Sequence, residues 1–170
     1  MLGILLLIAV CICWLPNKMK IINKTIRKAY ANWNPSPLIR CYHYAAAFDG
    51  QKMICFSKNN PIKTNTRAYR IGEQFNLPKY KEYPFVHAES HLISKLLDMY
   101  NSIDPSWSIV VMRINRKGLI LGSKPCENCD KLLSAVGLNS VYYSTDSGQF
   151  VDSFGYSIEA GELTMPMTMV

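Results

Sequence analysis

Lys124-Pro125-Cys126-Glu127-Asn128-Cys129 decides the reading of this chain, together with His87-Ala88-Glu89 upstream. The two segments supply two thiols, one imidazole and one carboxylate. Two cysteines three residues apart face the same side of a helix. Pro125 is expected at the first position of that helix, where its missing N–H is not needed. His87 is expected to begin another helix. Side chains at two helix N-termini can converge on one point, and the free N–H groups and dipole there favour thiolate. Three protein ligands, His87, Cys126 and Cys129, leave a tetrahedral zinc ion one open position, which separates a catalytic site from a structural one. Glu89 lies two residues beyond His87, leaves its helix in another direction and stays free to carry protons. Taken without the cysteines, it reads as a first-turn glutamate complementing the helix dipole.

Other uses of these residues fit less well. A lone Cys-x-x-Cys also occurs in redox pairs and zinc ribbons. A structural zinc site needs four ligands at matched spacing, and Cys11, Cys13, Cys41 and Cys55 form no second Cys-x-x-Cys. His87 and His91 are four apart, but a zincin has its glutamate directly after the first histidine.

His-x-Glu followed by Pro-Cys-x-x-Cys resembles the pattern of the zinc-dependent base deaminases. The resemblance runs from about Leu38 to Phe150. Ser123-Lys124-Pro125-Cys126 and Gly137-Leu138-Asn139-Ser140-Val141-Tyr142-Tyr143 look like the cysteine motif, helix and strand of deoxycytidylate and tRNA adenosine deaminases. Asn59-Asn60-Pro61-Ile62 looks like the asparagine loop that holds the nucleoside sugar in that superfamily, with Asn59 the better match and Asn60 the alternative. The Ser-Lys-Pro-Cys run and the Tyr-Tyr-Ser-Thr strand end are shared with deaminase-like proteins of bacteriophages and large viruses.

The resemblance implies an α/β fold, a cytidine-deaminase-like three-layer α/β/α sandwich with a mixed central sheet. It implies zinc-dependent hydrolytic deamination of a nucleobase, foremost cytosine in a nucleoside or nucleotide of cytidine or deoxycytidylate type. His87, Cys126 and Cys129 would hold Zn2+, a zinc-activated water would attack, and Glu89 would be the catalytic proton shuttle. Asn59 and the backbone N–H of Ala88 would bind substrate, and a homo-oligomer of unspecified order is expected. Two alternatives stand beside this reading: a polynucleotide deaminase acting on tRNA adenine or single-stranded cytosine, and a zinc-binding protein of the same fold without turnover. Two features depart from the pattern. Residues 63–86 align with no substrate loop, and His91 stands where many relatives have a small or apolar residue.

Length and composition agree with one globular domain. The chain has 170 residues, half of them apolar and 18% charged, which excludes a disordered tail or a charged low-complexity segment. Its net charge of +7 is unevenly placed: residues 1–85 hold 13 Lys and Arg against 3 acids, and residues 86–170 hold 6 against 9. A basic first half suits phosphate. Thiolate ligands point to a reducing compartment, hence the cytoplasm.

Three segments are expected: an apolar stretch over 1–20, a deaminase domain over 21–150, and a C-terminal strand or tail over 151–170. Leu2–Leu15 is an apolar run of 14 residues ended by Pro16, shorter than the ~20 residues a membrane span needs. It reads equally as a marginal membrane anchor or as an upstream extension before Met19, so membrane contact is expected only through residues 1–18. Ile21–Trp33 has the spacing of an amphipathic helix. Ile39–Phe48 and Lys52–Phe56 read as strands joined by an Asp49-Gly50 hairpin loop. Residues 57–86 are irregular, with basic residues (Lys63, Arg67, Arg70, Lys79, Lys81) among aromatics, a mixture that suits nucleic acid or nucleotide but that reads equally as a surface loop whose aromatics tuck back onto the core. Helices are expected over 87–100 and from Pro125 to Gly137, and strands over 107–114, 119–121 and 140–145. The strand-helix-strand run at 107–145 implies a parallel right-handed crossover.

Overall fold

The computed structural model describes residues 2–64, 66–77 and 85–158. The elements run in the order α1 (Leu2–Ala31), β1 (Cys41–Asp49), β2 (Lys52–Lys58), β3 (Asn60–Thr64), α2 (Thr66–Gln74), β4 (Phe85–Val86), α3 (Ala88–Tyr100), β5 (Ser108–Asn115), β6 (Ile120–Leu121), α4 (Glu127–Ala135), β7 (Ser140–Ser144), β8 (Phe150–Asp152) and β9 (Ser157–Ile158). The protein is α/β with a mixed, open sheet in the order β2-β1-β5-β7-β8-β9, and β6 pairs with β5. Among the described residues of this sheet only β5 and β7 run parallel; the other pairings are antiparallel. The β5-α4-β7 unit is thus the parallel crossover its spacing implied.

Alternation along β1 and β5 divides the interior in two. Tyr42, Tyr44, Ala46 and Phe48 of β1, with Val110, Met112 and Ile114 of β5, pack against Ile22, Ile26 and Ala29 of α1. The intervening residues, Ala45, Ala47, Ile109 and Val111, pack against Leu92, Leu96, Cys129 and Leu132 of α3 and α4. Both strands are buried on both faces, which is why they read as near-continuous apolar runs. Helices therefore cover both faces of the sheet.

Several boundaries differ from the sequence reading. The helix expected from Ile21 is part of one helix starting at Leu2 that runs through Pro16, whose missing N–H removes a single ladder bond. Ile21, Ile22, Ile26 and Ala29 form its buried face, and Lys24, Arg27 and Lys28 are exposed, as the spacing required. No helix among the described residues is long and apolar enough to cross a membrane. The hairpin loop is Gly50-Gln51, because Asp49 already pairs with Lys52; Gly50 takes the positive φ of +55° at the first loop position. Residues 57–86 are more regular than expected, holding β3, β4 and α2. After Asp146 the chain forms two strands, β8 and β9, where one strand or a tail was expected. Residues 159–170, and Lys79–Tyr83 of the basic aromatic stretch, lie outside the described residues.

A chain beginning at Met19 keeps every buried residue of α1 named above. It is expected to be soluble and to melt cooperatively within a few degrees of the full chain. Aggregation, or loss of the transition in thermal denaturation, would show that residues 1–18 are needed.

Candidate metal centre

The two motif segments meet at one end of the sheet. His87 and Cys126 are the N-caps of α3 and α4, and both have extended backbone (φ −74°, ψ 151° and φ −67°, ψ 161°). An N-cap side chain projects past the helix end, where the first N–H groups have no intrahelical acceptor. Pro125 therefore precedes the cap and does not occupy the first helical position, as had been expected. Cys129, one turn into α4, is fully buried, whereas Cys126 is exposed.

Hydrogen bonds fix the approach to each cap. The Ser123 hydroxyl donates to Val111 O (2.9 Å) and accepts from Ser144 N (3.0 Å), while Ser123 N donates to Ser144 O (2.8 Å). The loop leading to Cys126 is thereby pinned to both β5 and β7. On the other side the Ser57 hydroxyl donates to Ala88 O (2.6 Å), tying the start of α3 to β2. Asn60 pairs with Val86 across β3 and β4, which draws the asparagine loop alongside His87.

The result is a group of three donor atoms, all within 4.8 Å of one another, on His87, Cys126 and Cys129. His87 Nδ1 lies 3.7 Å from Cys126 Sγ and 3.4 Å from Cys129 Sγ. Tetrahedral coordination with sulfur at ~2.3 Å and nitrogen at ~2.0 Å places neighbouring ligand atoms roughly 3.5–3.8 Å apart. The observed spacings agree with that, and thiolate with imidazole is a donor set zinc favours. His87, Cys126 and Cys129 are thus positioned to hold a metal ion. His91 is not among them: its Nδ1 lies 3.2 Å from Lys58 O, a contact that ties α3 to the end of β2.

The electrostatics agree with a thiolate site. Hydrogen bonds from Cys129 and His87 hold the Cys126 thiol at about 3, against the cost of burial. The same bond to Cys126 raises the His87 imidazole. Glu89 is 5% exposed, and burial raises its carboxyl above the usual carboxylate range.

A cavity of about 360 Å³ opens onto this group, lined by His43, Asn59, Val86, His87, Glu89, Lys124 and Cys126. Glu89 lines it without being one of the three donors. Asn59 lines it too; its Oδ1 accepts from His43 N (3.0 Å) and its Nδ2 donates to Cys41 O (3.5 Å), which ties its amide to the start of β1. Ala88 is the first residue of α3 and fully buried, and its N–H has no intrahelical acceptor. Of the basic loop residues, Arg67 is paired with Asp98 at 2.7 Å and docks α2 on α3; it does not line the cavity.

His43 is the lining residue that sequence reading missed. It sits on β1 on the same face as Ala45 and Ala47, so a polar residue at an alternating inward position was the available signal. Burial, reinforced by the Arg113 guanidinium and His87, lowers its imidazole to about 4. In an NMR titration its ring is expected to stay neutral to about pH 5 and to protonate only near pH 4, below the free value of about 6.5. The unfolded chain takes up that proton first, so this residue makes stability fall as pH drops from about 6.5 to about 4. A His43 resonance titrating near 6.5 would show an imidazole in contact with solvent.

No protein-family model, no curated protein and no solved structure matches this chain.

Proposed function

We propose that the protein is a zinc-dependent hydrolase that deaminates a nucleobase, foremost cytosine in a nucleoside or nucleotide. One observation carries this reading: a buried carboxyl, Glu89, shares a cavity with His87 and Cys126, two of the three convergent metal donors, yet is not itself one of the three. A structural zinc site has no use for a protonatable group buried beside it, since burial there is costly. The base-deaminase pattern His-x-Glu and Pro-Cys-x-x-Cys supplies the reaction class.

When bound, zinc would supply a water that ionises near neutral pH. His87, Cys126 and Cys129 would hold the ion as a neutral imidazole and two thiolates. Water adds to the ring carbon that carries the amino group, a C–O bond forms, the C–N bond breaks and ammonia leaves. Glu89 takes a proton from the water, delivers it to the adjacent ring nitrogen, and carries a second proton to the departing amino group. Its raised affinity for protons suits both halves of that exchange. In this reading Asn59 would orient the sugar and the N–H of Ala88 the base.

The test is ammonia release by the zinc-loaded chain from cytidine, deoxycytidine, deoxycytidylate, adenosine, guanine and single-stranded nucleic acid. Release from one of these establishes the class. Silence across the panel, with zinc bound, favours a zinc-binding protein without turnover.

A further inference from the structure

A second, strongly basic pocket lies beside the cavity. It measures about 670 Å³ and is lined by Arg40, Arg113, Arg116 and Lys117, with Cys41, Asn115 and Leu121. Four cations and no acid line it. Its floor is the face of β1 and β5 on which His43, a lining residue of the metal-centre cavity, also lies. His43 pairs with Arg113 and Cys41 with Asn115 across β1 and β5. His43 lines the cavity, and Cys41, two residues earlier on the same face, lines the basic pocket. Two residues along a strand span only ~7 Å. The two hollows are therefore successive stations on one surface.

One of the cations is held in place and another is incompletely satisfied. Arg116 Nε donates to Ile39 O (3.0 Å), which fixes its guanidinium beside the start of β1. Arg113 Nε is buried and has no hydrogen-bond partner among the described residues. Among the described residues, the acid paired with Arg113 is Asp146, 3.9 Å away, exposed and already accepting from Gly122 N (2.7 Å). A buried guanidinium donor without an acceptor is costly, and an incoming anion removes the cost. Lys124, exposed at the neighbouring cavity, adds a fifth cation.

We infer that Arg40, Arg113, Arg116 and Lys117 form a phosphate subsite, and that it receives the phosphate tail of a mononucleotide whose base occupies the adjacent cavity. This names the substrate class of the proposed deaminase and rests on that reading for the base alone. The cations are gathered in one pocket, as a compact polyanion such as a triphosphate requires. A polynucleotide needs a track of cations extending to both sides of the base, and the observed cluster lies on one side. Guanidinium forks suit phosphate oxygens in particular.

The full chain is titrated with cytidine, cytidine 5′-triphosphate, inorganic pyrophosphate and a single-stranded oligonucleotide. The titrations are repeated with R116E and K117E, two exposed residues in the β5–β6 turn. The triphosphate is expected to bind at least about tenfold more tightly than cytidine and to compete with pyrophosphate. Each charge reversal is expected to weaken both phosphate ligands about tenfold and leave cytidine unchanged. Pyrophosphate has no base, so its binding and its loss in R116E report on the pocket even if the chain deaminates nothing. Ammonia release from cytidine without any gain from phosphate would keep the deaminase and remove this subsite. Equal pyrophosphate binding in parent and both variants would overturn the inference. So would oligonucleotide binding that both variants weaken while the triphosphate binds no better than cytidine, an outcome that assigns the pocket to a strand.

Discussion

Glu89→Gln is expected to fold as the parent does, to keep its zinc and to bind substrate, yet to lose deamination by about 10²–10⁴. The amide keeps the shape of the carboxyl but cannot shuttle protons. Glu89 is nearly fully buried, and burial already favours its neutral form, so an uncharged isostere costs the fold little. Because Glu89 serves more than one proton transfer, the loss belongs at the upper end of that range. Zinc content, thermal melting and ammonia release are measured on the same preparation. A variant that turns over near the parent rate would remove Glu89 from the chemistry. A variant that loses zinc would make Glu89 a ligand and the three-donor assignment wrong.

The central parts of the fold were legible because their patterns are strong. β1 and β5 are apolar on both faces, α3 and α4 repeat leucines at helical spacing, and Gly137 with φ +82° ends α4 as expected. The convergence of His87, Cys126 and Cys129 was legible for a different reason: two helix N-termini at one sheet edge leave cap side chains little choice of direction. What was missed is either short or held by tertiary contacts. α2 has nine residues, mostly polar, and buries chiefly Ile71, with Leu77 just beyond it, too little for periodicity to stand out between prolines. β8 and β9 are three and two residues long and exist by pairing with β7 and each other.

Charge along the chain does not show where cations gather in space. The basic half of the chain pointed to residues 57–86, where Arg67 turns out to hold Asp98. Three of the four cations of the basic pocket, Arg113, Arg116 and Lys117, come from the half with a net acidic balance. Strand pairing gathers them beside Arg40, and no window along the sequence shows that. His43 is hidden in the same way, since its partners Arg113 and Asn59 are distant in sequence and adjacent only across the sheet.

Cys126→Ala and Cys129→Ala are both expected to lose the metal, and the difference between them separates a ligand from a core residue. Cys126 is exposed, so its side chain contributes little packing; Cys129 is fully buried against the α3–α4 core. In the presence of a chelator, Cys126→Ala should therefore melt close to the metal-free parent, and Cys129→Ala should melt below it, because truncation leaves a void. Adding zinc should raise the melting temperature of the parent alone. At a free zinc level about 1,000 times its dissociation constant the gain is ~4 kcal/mol, which for a chain of this size is several degrees. In either variant the ion retains one thiolate and one imidazole, too few to hold it, and the zinc-dependent rise should vanish along with deamination. Stoichiometric zinc and an unchanged zinc-dependent rise in both variants would show that the donors lie elsewhere, and the reading of the site would fall with them.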